Sequence, residues 1–493
     1  MKENIKIKKE WKWCVWSVFA VGILAHLFKF INYLPTADSL YNVWATQNGS
    51  KSARPFLQWA CSLSSYTDLP LIEGMLALAY ITLTTIVIVE LFDIKEKLTI
   101  FLIGGILVSF PVVTSTMAYL YTADGYMLAM LLAAIAVYVG IERHNIIIGS
   151  IALCASLGIY QAYLSFSLIL FCVYFIYAIL KQKYTDKELN IQILRQIALV
   201  ILGCGLYFIA YKTAIKLQNM EITSYQGMNT VSFDIHRLKS ATFQSVAYVR
   251  DFLFQGGRLY NLLHLLMILM LVAVIIYIVV TEKIYTKIWQ MICIGICMVA
   301  IIPAACIWKY TSDNCSYHSL MVMGLALVFV STVILWDSFL YNKKYIKLFL
   351  AVVCGGLIWK YILIANQAYM LMDLTWEREY SKAIMMAENI REVKADSANI
   401  IIVGTGDTER SDKRITAEMP YLMGITDVNY FNDESHIVLF LNQYLGLNYS
   451  SMDKKQRDEV IGNAEIESMP TWPQKGSVVL YNTDTIIVKL SEE

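Results

Sequence analysis

Charge is what this chain has least of. Only 16% of its 493 residues are Asp, Glu, Lys or Arg, against roughly 25% in an average soluble domain. That is too few to cover a soluble surface, which excludes a soluble enzyme. A basic excess is missing as well: the formal net charge is +1, which excludes a nucleic-acid binder. With 57% hydrophobic residues, a disordered chain is excluded too. Gly and Pro are scarce at 24 and 8, so no flexible linker is expected, and no internal repeat or low-complexity tract is found. The ten Cys do not make a disulfide scaffold, because most lie singly in apolar runs, where Cys behaves as a small hydrophobe.

What is abundant is long apolar sequence. A membrane span needs roughly 20 mostly apolar residues, and about eleven stretches qualify: 11–32, 71–92, 98–117, 123–141, 145–160, 161–180, 192–213, 259–281, 287–307, 318–339 and 346–367. The fifth and sixth have almost no loop between them and predict a tight helical hairpin. The first run follows a Lys-rich start but lacks a small-residue cleavage site, so it reads as an anchor. Short loops on the cytoplasmic side collect Lys and Arg. Counted from a cytoplasmic N-terminus, Lys95, Lys97, Arg143, Lys181, Lys183, Lys187, Lys283, Lys287, Lys343, Lys344 and Lys347 all fall inside, and Lys309 is the exception. Eleven spans then leave the C-terminus, the 33–70 loop and the 215–258 loop outside.

Charge also divides the chain. Residues 373–493 hold 21 acidic against 12 basic side chains, whereas residues 1–372 hold 18 against 28. The expected organisation is therefore a membrane body over 1–372 and an acidic domain over 373–493. Within the 215–258 loop, Leu238, Phe243, Val246 and Val249 recur at roughly helical spacing, consistent with helices at the interface. Tyr380, Ile384 and Ile390 predict a helix continuing the last span. Ile400 to Val403 before Gly404-Thr405-Gly406 predicts a strand and turn, and Val478–Leu480 with Ile486–Leu490 predicts a hairpin about Asn482-Thr483-Asp484. The tail thus reads as a small α/β domain. Gly404-Thr405-Gly406 lacks the third glycine of a dinucleotide fingerprint.

The polar residues of the outer loops carry the chemistry, and each has a structural alternative. Asp38 stands a few residues beyond the first span. It is either a helix N-cap or a carboxylate base that takes a proton from a sugar hydroxyl. Arg54 can pair with a phosphate and Trp59 offers a flat face to a sugar ring; alternatively both belong to an interfacial belt. Tyr121 and Asp124 mark the start of the fourth span, where Asp124 either caps the helix or contacts acceptor hydroxyls. Gln161, at the hairpin tip, either meets the sugar or satisfies exposed backbone. Lys309 either neutralises a lipid phosphate or snorkels. His318 has no second His at ligand spacing, so no metal site is expected. Cys61 and Cys315, both outside, are a possible disulfide pair.

The motifs Tyr-Leu-Pro-Thr-Ala-Asp-Ser (33–39), Arg-Pro-Phe-Leu-Gln-Trp (54–59), Tyr-Thr-Ala-Asp-Gly-Tyr (121–126), Leu-Gly-Ile-Tyr-Gln-Ala-Tyr (157–163) and Pro-Gln-Lys-Gly-Ser-Val-Val-Leu-Tyr (473–481) with Ile-Ile-Val-Lys-Leu (486–490) together resemble the GtrII-type membrane glucosyltransferases. The family is similar to the GT-C superfamily of multispanning enzymes, which take a sugar from a polyprenyl-phosphate carrier and use an acid in the first outer loop. The resemblance implies Asp38 as that acid, Arg54 from the Arg-Pro-Phe motif and Asp124 from the Thr-Ala-Asp-Gly motif. Many GT-C enzymes have adjacent acids there, often linked to a divalent metal, whereas Asp38 has no acidic neighbour before Asp68.

The expectation is an α-helical multispanning GT-C-like protein of about 11 transmembrane helices with a small extracytoplasmic α/β C-terminal domain. It would be an inverting hexosyltransferase of the bacterial cytoplasmic membrane, using a polyprenyl-phosphate-hexose donor such as undecaprenyl-phosphate glucose and a surface polysaccharide acceptor. Asp38 is the expected catalytic base, and Arg54 and Lys309 the donor-phosphate ligands. Asp124, Trp59, Tyr121, Gln161 and His318 are expected at the sugar or acceptor. No cofactor is expected, with a divalent metal as the open alternative. The pathway partners would be a donor-synthesising glycosyltransferase and a flippase. The competing functions are a polysaccharide polymerase, which would join whole repeat units, and a lipid or saccharide transporter. Against transport stand the odd span number, the missing repeat, and the position of Glu73, Glu90 and Lys360 near span ends.

Overall fold

The computed structural model describes residues 8–221, 235–312, 314–340, 344–394, 398–406, 413–463 and 465–492. Every apolar stretch marked in the sequence carries a helix, and the 318–339 stretch opens with two 3₁₀ turns, Ser319–Met321 and Met323–Leu325, so that its α-helix begins only at Ala326. The chain runs through α1 (Lys9–Ile31), the short α2 (Leu57–Cys61), α3 (Pro70–Leu91), α4 (Lys97–Ser109), α5 (Pro111–Ala118) and α6 (Leu120–Glu142). It continues with α7 (Ile146–Ile159), α8 (Leu164–Leu180), α9 (Asp186–Leu217), α10 (Ile235–Phe254), α11 (Arg258–Thr281), α12 (Ile288–Ala305), α13 (Ala326–Leu340) and α14 (Lys344–Val393).

Among the described residues, nine helices are long and apolar enough to cross a membrane, and ten if the bent pair α4–α5 counts as one span. The protein is a membrane protein. Two of the eleven expected spans differ from the simple picture. The 98–117 stretch is broken into α4 and α5 with a bend of 43°, because Pro111 supplies no N–H and restricts the residue before it. The 145–160 stretch forms α7, only 14 residues long, below the length that spans a hydrocarbon core. The expected hairpin is present: one 3₁₀ turn, Gln161–Tyr163, joins α7 to α8. In the 215–258 segment, α10 presents Ala241, Ser245, Val249 and Phe252 to the protein and leaves Phe243 and Val246 exposed; residues 222–234 lie outside the described residues.

The chain divides into two compact units. The first comprises residues 1–33, 44–367 and 414–423, and the second residues 34–43, 368–413 and 424–493. The second takes in a stretch of the first loop as well as the acidic tail. Its reason is apolar: Leu40 is fully buried in one cluster with Ile390, Ile400, Phe440, Ile486 and Val488, and the Tyr430 hydroxyl donates to the Pro35 carbonyl. The 50-residue α14 passes from one unit into the other, as the Tyr380–Ile384–Ile390 pattern predicts.

The second unit contains β1 (Asn399–Val403), the short α15 (Lys413–Thr416, assigned with the first unit beyond its first residue), α16 (Glu434–Leu445), β2 (Ser450–Ser451), α17 (Lys454–Asn463), β3 (Val478–Asn482) and β4 (Thr485–Lys489). The sheet order is β2-β1-β4-β3. The expected hairpin is β3–β4, paired antiparallel. In addition β1 runs parallel to β4, with Ile400 beside Ile486 and Ile402 beside Val488, and parallel to β2. β4 is buried along its whole length, which suits the Ile486-Ile487-Val488 centre of a strand flanked on both sides.

Candidate functional site

In the first unit the Arg54 loop is held by backbone strain and polar clamps. Ala53 adopts φ +56°, a conformation that non-glycine residues rarely keep without support. Its carbonyl oxygen accepts from Gln161 Nε2 at 2.7 Å and from the Tyr207 hydroxyl at 2.9 Å. Gln161 also donates to the Ser52 carbonyl at 2.9 Å. Of the two roles open to Gln161 in the sequence, its amide therefore serves the backbone. Phe56 N–H donates to the Gly158 carbonyl at 2.8 Å. A Cβ on Gly158 would stand 2.1 Å from the Phe56 ring, so the close docking of this loop on α7 requires glycine.

That scaffold sets the Arg54 guanidinium against aromatic rings. Tyr126 of α6 and Tyr160 stack with centroids 4.2 Å apart and planes 9° from parallel. Arg54 lies 4.7 Å from the Tyr160 centroid and donates from Nη1 to the Tyr126 hydroxyl at 2.8 Å. The stacked pair holds the cation in place while Arg54 stays partly exposed. Trp59, 66% exposed, stacks on Phe56 at 5.6 Å and so presents a flat apolar face. His318 is buried within electrostatic reach of Arg54. Burial, reinforced by that cation, pushes its pKa down to about 4, leaving the imidazole neutral at physiological pH.

Lys309 is linked to the same region through its neighbour: Trp308 Nε1 donates to the Gln161 carbonyl at 3.2 Å, and Lys309 Nζ donates to the Cys315 carbonyl at 2.7 Å. Tyr121, partly exposed, packs edge-on against Tyr119 at 6.2 Å. All ten cysteines are free thiols, Cys61 and Cys315 included, so the possible pair between those two is not made.

Asp124 is not a cap. It lies inside α6, whose N-cap is Tyr119, and it is fully buried. Its Oδ1 accepts the Gly125 N–H at 2.7 Å, the Ser64 hydroxyl and Cys61 thiol lie against it, and Oδ2 has no hydrogen-bond partner among the described residues. Nearby is a group that sequence reasoning missed. Glu73 and Lys29 are buried, Asp68 and Glu73 share a hydrogen bond, and Tyr33 bonds to Asp68. Glu73 also accepts the Leu69 N–H at 3.1 Å. Asp68 has a raised pKa because desolvation outweighs the opposing pull of Lys29 and the two hydrogen bonds. The usable signal was Lys29, a lone cation at the end of an apolar run, which needs a partner at that depth.

Asp38 belongs to the second unit. It occupies the second position of a 3₁₀ turn, Ala37–Tyr41. The cap is Thr36, not Asp38: Thr36 N–H donates to Ser39 Oγ at 2.9 Å and the two hydroxyls meet at 3.1 Å. Asn42 Nδ2 donates to the Asp38 carbonyl at 2.7 Å, which fixes the backbone. The residue is exposed, yet protein crowds the carboxylate on its inner side. That desolvation raises its pKa, with His436 opposing and Asp427 reinforcing the rise. An accessible carboxylate that is left over from capping, on a rigid turn and with heightened basicity, can serve as a general base.

Among the described residues, no group of three or more His, Cys, Asp or Glu is arranged to hold a metal ion. The family model described as glucosyl transferase GtrII matches residues 27–314, more than half of the 493 residues. No curated protein and no solved structure matches the chain.

Proposed function

The chain belongs to the GtrII glucosyltransferase family, and from that premise we propose that it moves glucose, or a similar hexose, from a polyprenyl-phosphate carrier to a surface polysaccharide with inversion at the anomeric carbon. The reaction runs on the outer face of the bacterial cytoplasmic membrane, with the N-terminus in the cytoplasm and the C-terminal unit outside. The observation that carries the assignment of the base is the capping of the 3₁₀ turn by Thr36 and Ser39, which leaves the exposed Asp38 carboxylate free for chemistry.

In this reading Asp38 takes the acceptor hydroxyl proton as that oxygen attacks the anomeric carbon. The bond from that carbon to the phosphate oxygen breaks on the opposite face, and the phosphate leaves with the electron pair. The leaving group is an anion and needs positive charge rather than a proton. Arg54, held against the stacked Tyr160 and Tyr126 rings, and Lys309 supply it. Trp59 and Tyr121 contact the sugar or acceptor. Gln161, Asp124 and His318 act behind them: Gln161 holds the Ser52 and Ala53 carbonyls, Asp124 sits beneath the α2 segment against Cys61 and Ser64, and His318 stays neutral beside Arg54. A donor-synthesising glycosyltransferase and a flippase supply the lipid-linked sugar.

The test is the sugar and linkage composition of surface polysaccharide from a deletion strain that carries wild-type chain or Asp38→Asn at matched membrane levels. The expected result is a hexose branch restored by wild type and absent with Asp38→Asn. A branch fully restored by Asp38→Asn removes Asp38 as the base. A glycan unchanged by wild type overturns the transferase assignment itself, and chains shortened in the deletion strain would identify a polymerase.

A further inference from the structure

The second unit brings a histidine to the turn that carries Asp38. His436 lies in the first turn of α16, and its ring is anchored by Asp433, whose Oδ2 stands 2.7 Å from His436 Nδ1. The same Asp433 caps the helix, its Oδ1 accepting the His436 N–H at 3.0 Å. With Nδ1–H committed to that carboxylate, the orientation of the ring is set. The ring is also fixed from the other side, because Tyr41 packs its edge on His436 with centroids 5.0 Å apart at 85°.

Tyr41 and Asp38 are three residues apart on one 3₁₀ turn, where side chains at that spacing eclipse one another. The face of the turn that touches His436 through Tyr41 is therefore the face that bears Asp38. We propose that His436, held by Asp433, is a positioning residue for Asp38: its ring stands beside the carboxylate and holds it in place to accept a proton. The proposal rests on Asp38 being the base. It assigns a role to a residue outside the stretch that the family model covers.

The charges around this pair account for the need. Asp38 is desolvated on its inner side and Asp427 repels its negative charge, so both favour the protonated and inactive form; His436 is the group that opposes them. The other titratable groups facing the pair are Tyr41 from the turn and Asp433 from the helix cap.

The sign follows directly. A cation beside a carboxylate lowers its pKa, so removing the cation raises it, and the pH below which transfer is lost moves up. In membranes holding the full-length protein, the acid limb of kcat/KM should move up by roughly one pH unit in His436→Gln, and His436→Lys should return it towards wild type. Asp433→Asn retains a good capping side chain but weakens the anchor on the His436 ring. Its limb should move in the same direction by less. Loss of activity by the same factor at every pH in His436→Gln, with the limb unmoved, overturns the proposal and leaves His436 a packing residue. Wild-type activity in Asp38→Asn overturns the base assignment instead, and that result is separable because it needs no change at His436.

Discussion

Asp38 and Asp124 show how differently one residue type can be used in the two units. Both follow Thr-Ala and both look like helix caps in the sequence. Asp124 is fully buried in α6, with one oxygen on a backbone N–H and the Ser64 and Cys61 side chains against it. Asp38 is exposed on a turn that Thr36 and Ser39 have already capped. A carboxylate built into packing holds structure, whereas one left accessible on a rigid support is available for proton transfer.

The sharpest way to test that contrast is to exchange the two losses. Asp38→Asn should lower turnover by roughly 10²–10⁴-fold with an unchanged melting temperature in detergent. Asp124→Ala should behave in reverse: turnover per folded molecule is retained, while stability falls by about 1–3 kcal/mol because the buried Ser64 and Cys61 side chains lose the carboxylate they lie against. If Asp124→Ala abolishes transfer in a fully folded protein, the division between the two acids fails.

Arg54→Lys keeps the charge and removes the flat guanidinium face that lies on Tyr160. A cation–π contact of about 0.5–2 kcal/mol corresponds to roughly a two- to thirtyfold rise in donor KM, measured with the lipid-linked sugar as the varied substrate. Gly158→Ala should cost about 1–3 kcal/mol of stability through overpacking against Phe56, seen as earlier thermal unfolding. The smallest effect concerns His318. Its folded pKa of about 4 lies below the ordinary value of about 6.5, so it carries no charge change between pH 5 and 8. His318→Gln should leave the pH profile of transfer unaltered over that range. By linkage, the unfolded chain binds the extra proton first, so His318 makes the native state lose stability as pH falls from about 6.5 towards 4.

The helical body was legible because apolar length alone decides it, and the β3–β4 hairpin because its turn residues are local. The break between α4 and α5 was written in the sequence too, in Pro111, but an apolar count does not weigh one proline. The caps were misplaced for a similar reason: Asp38 and Asp124 are good capping residue types, and only the register of each turn shows that Thr36 caps the first and that α6 begins four residues before the second. What could not be read was non-local. The parallel pairing of β1 with β4 joins strands more than 80 residues apart, and the membership of residues 34–43 in the second unit depends on Leu40 finding Ile390, Phe440 and Ile486. His436 and Asp433 have an i,i+3 spacing typical of a helix start, yet nothing local ties them to Asp38.

The burial of Leu40 among strand residues such as Ile486 and Val488 also fixes an order in time. The turn bearing Asp38 leaves the ribosome early, about 450 residues ahead of the strand it packs beside; at about 5–20 residues per second that is a wait of roughly 20–90 seconds. Throughout that interval the spans and the Arg54 loop are made while the core around Leu40 is still incomplete. The residues of the Asp38 turn are thus made first, and the apolar cluster that buries Leu40 is complete only once the last strand has been made.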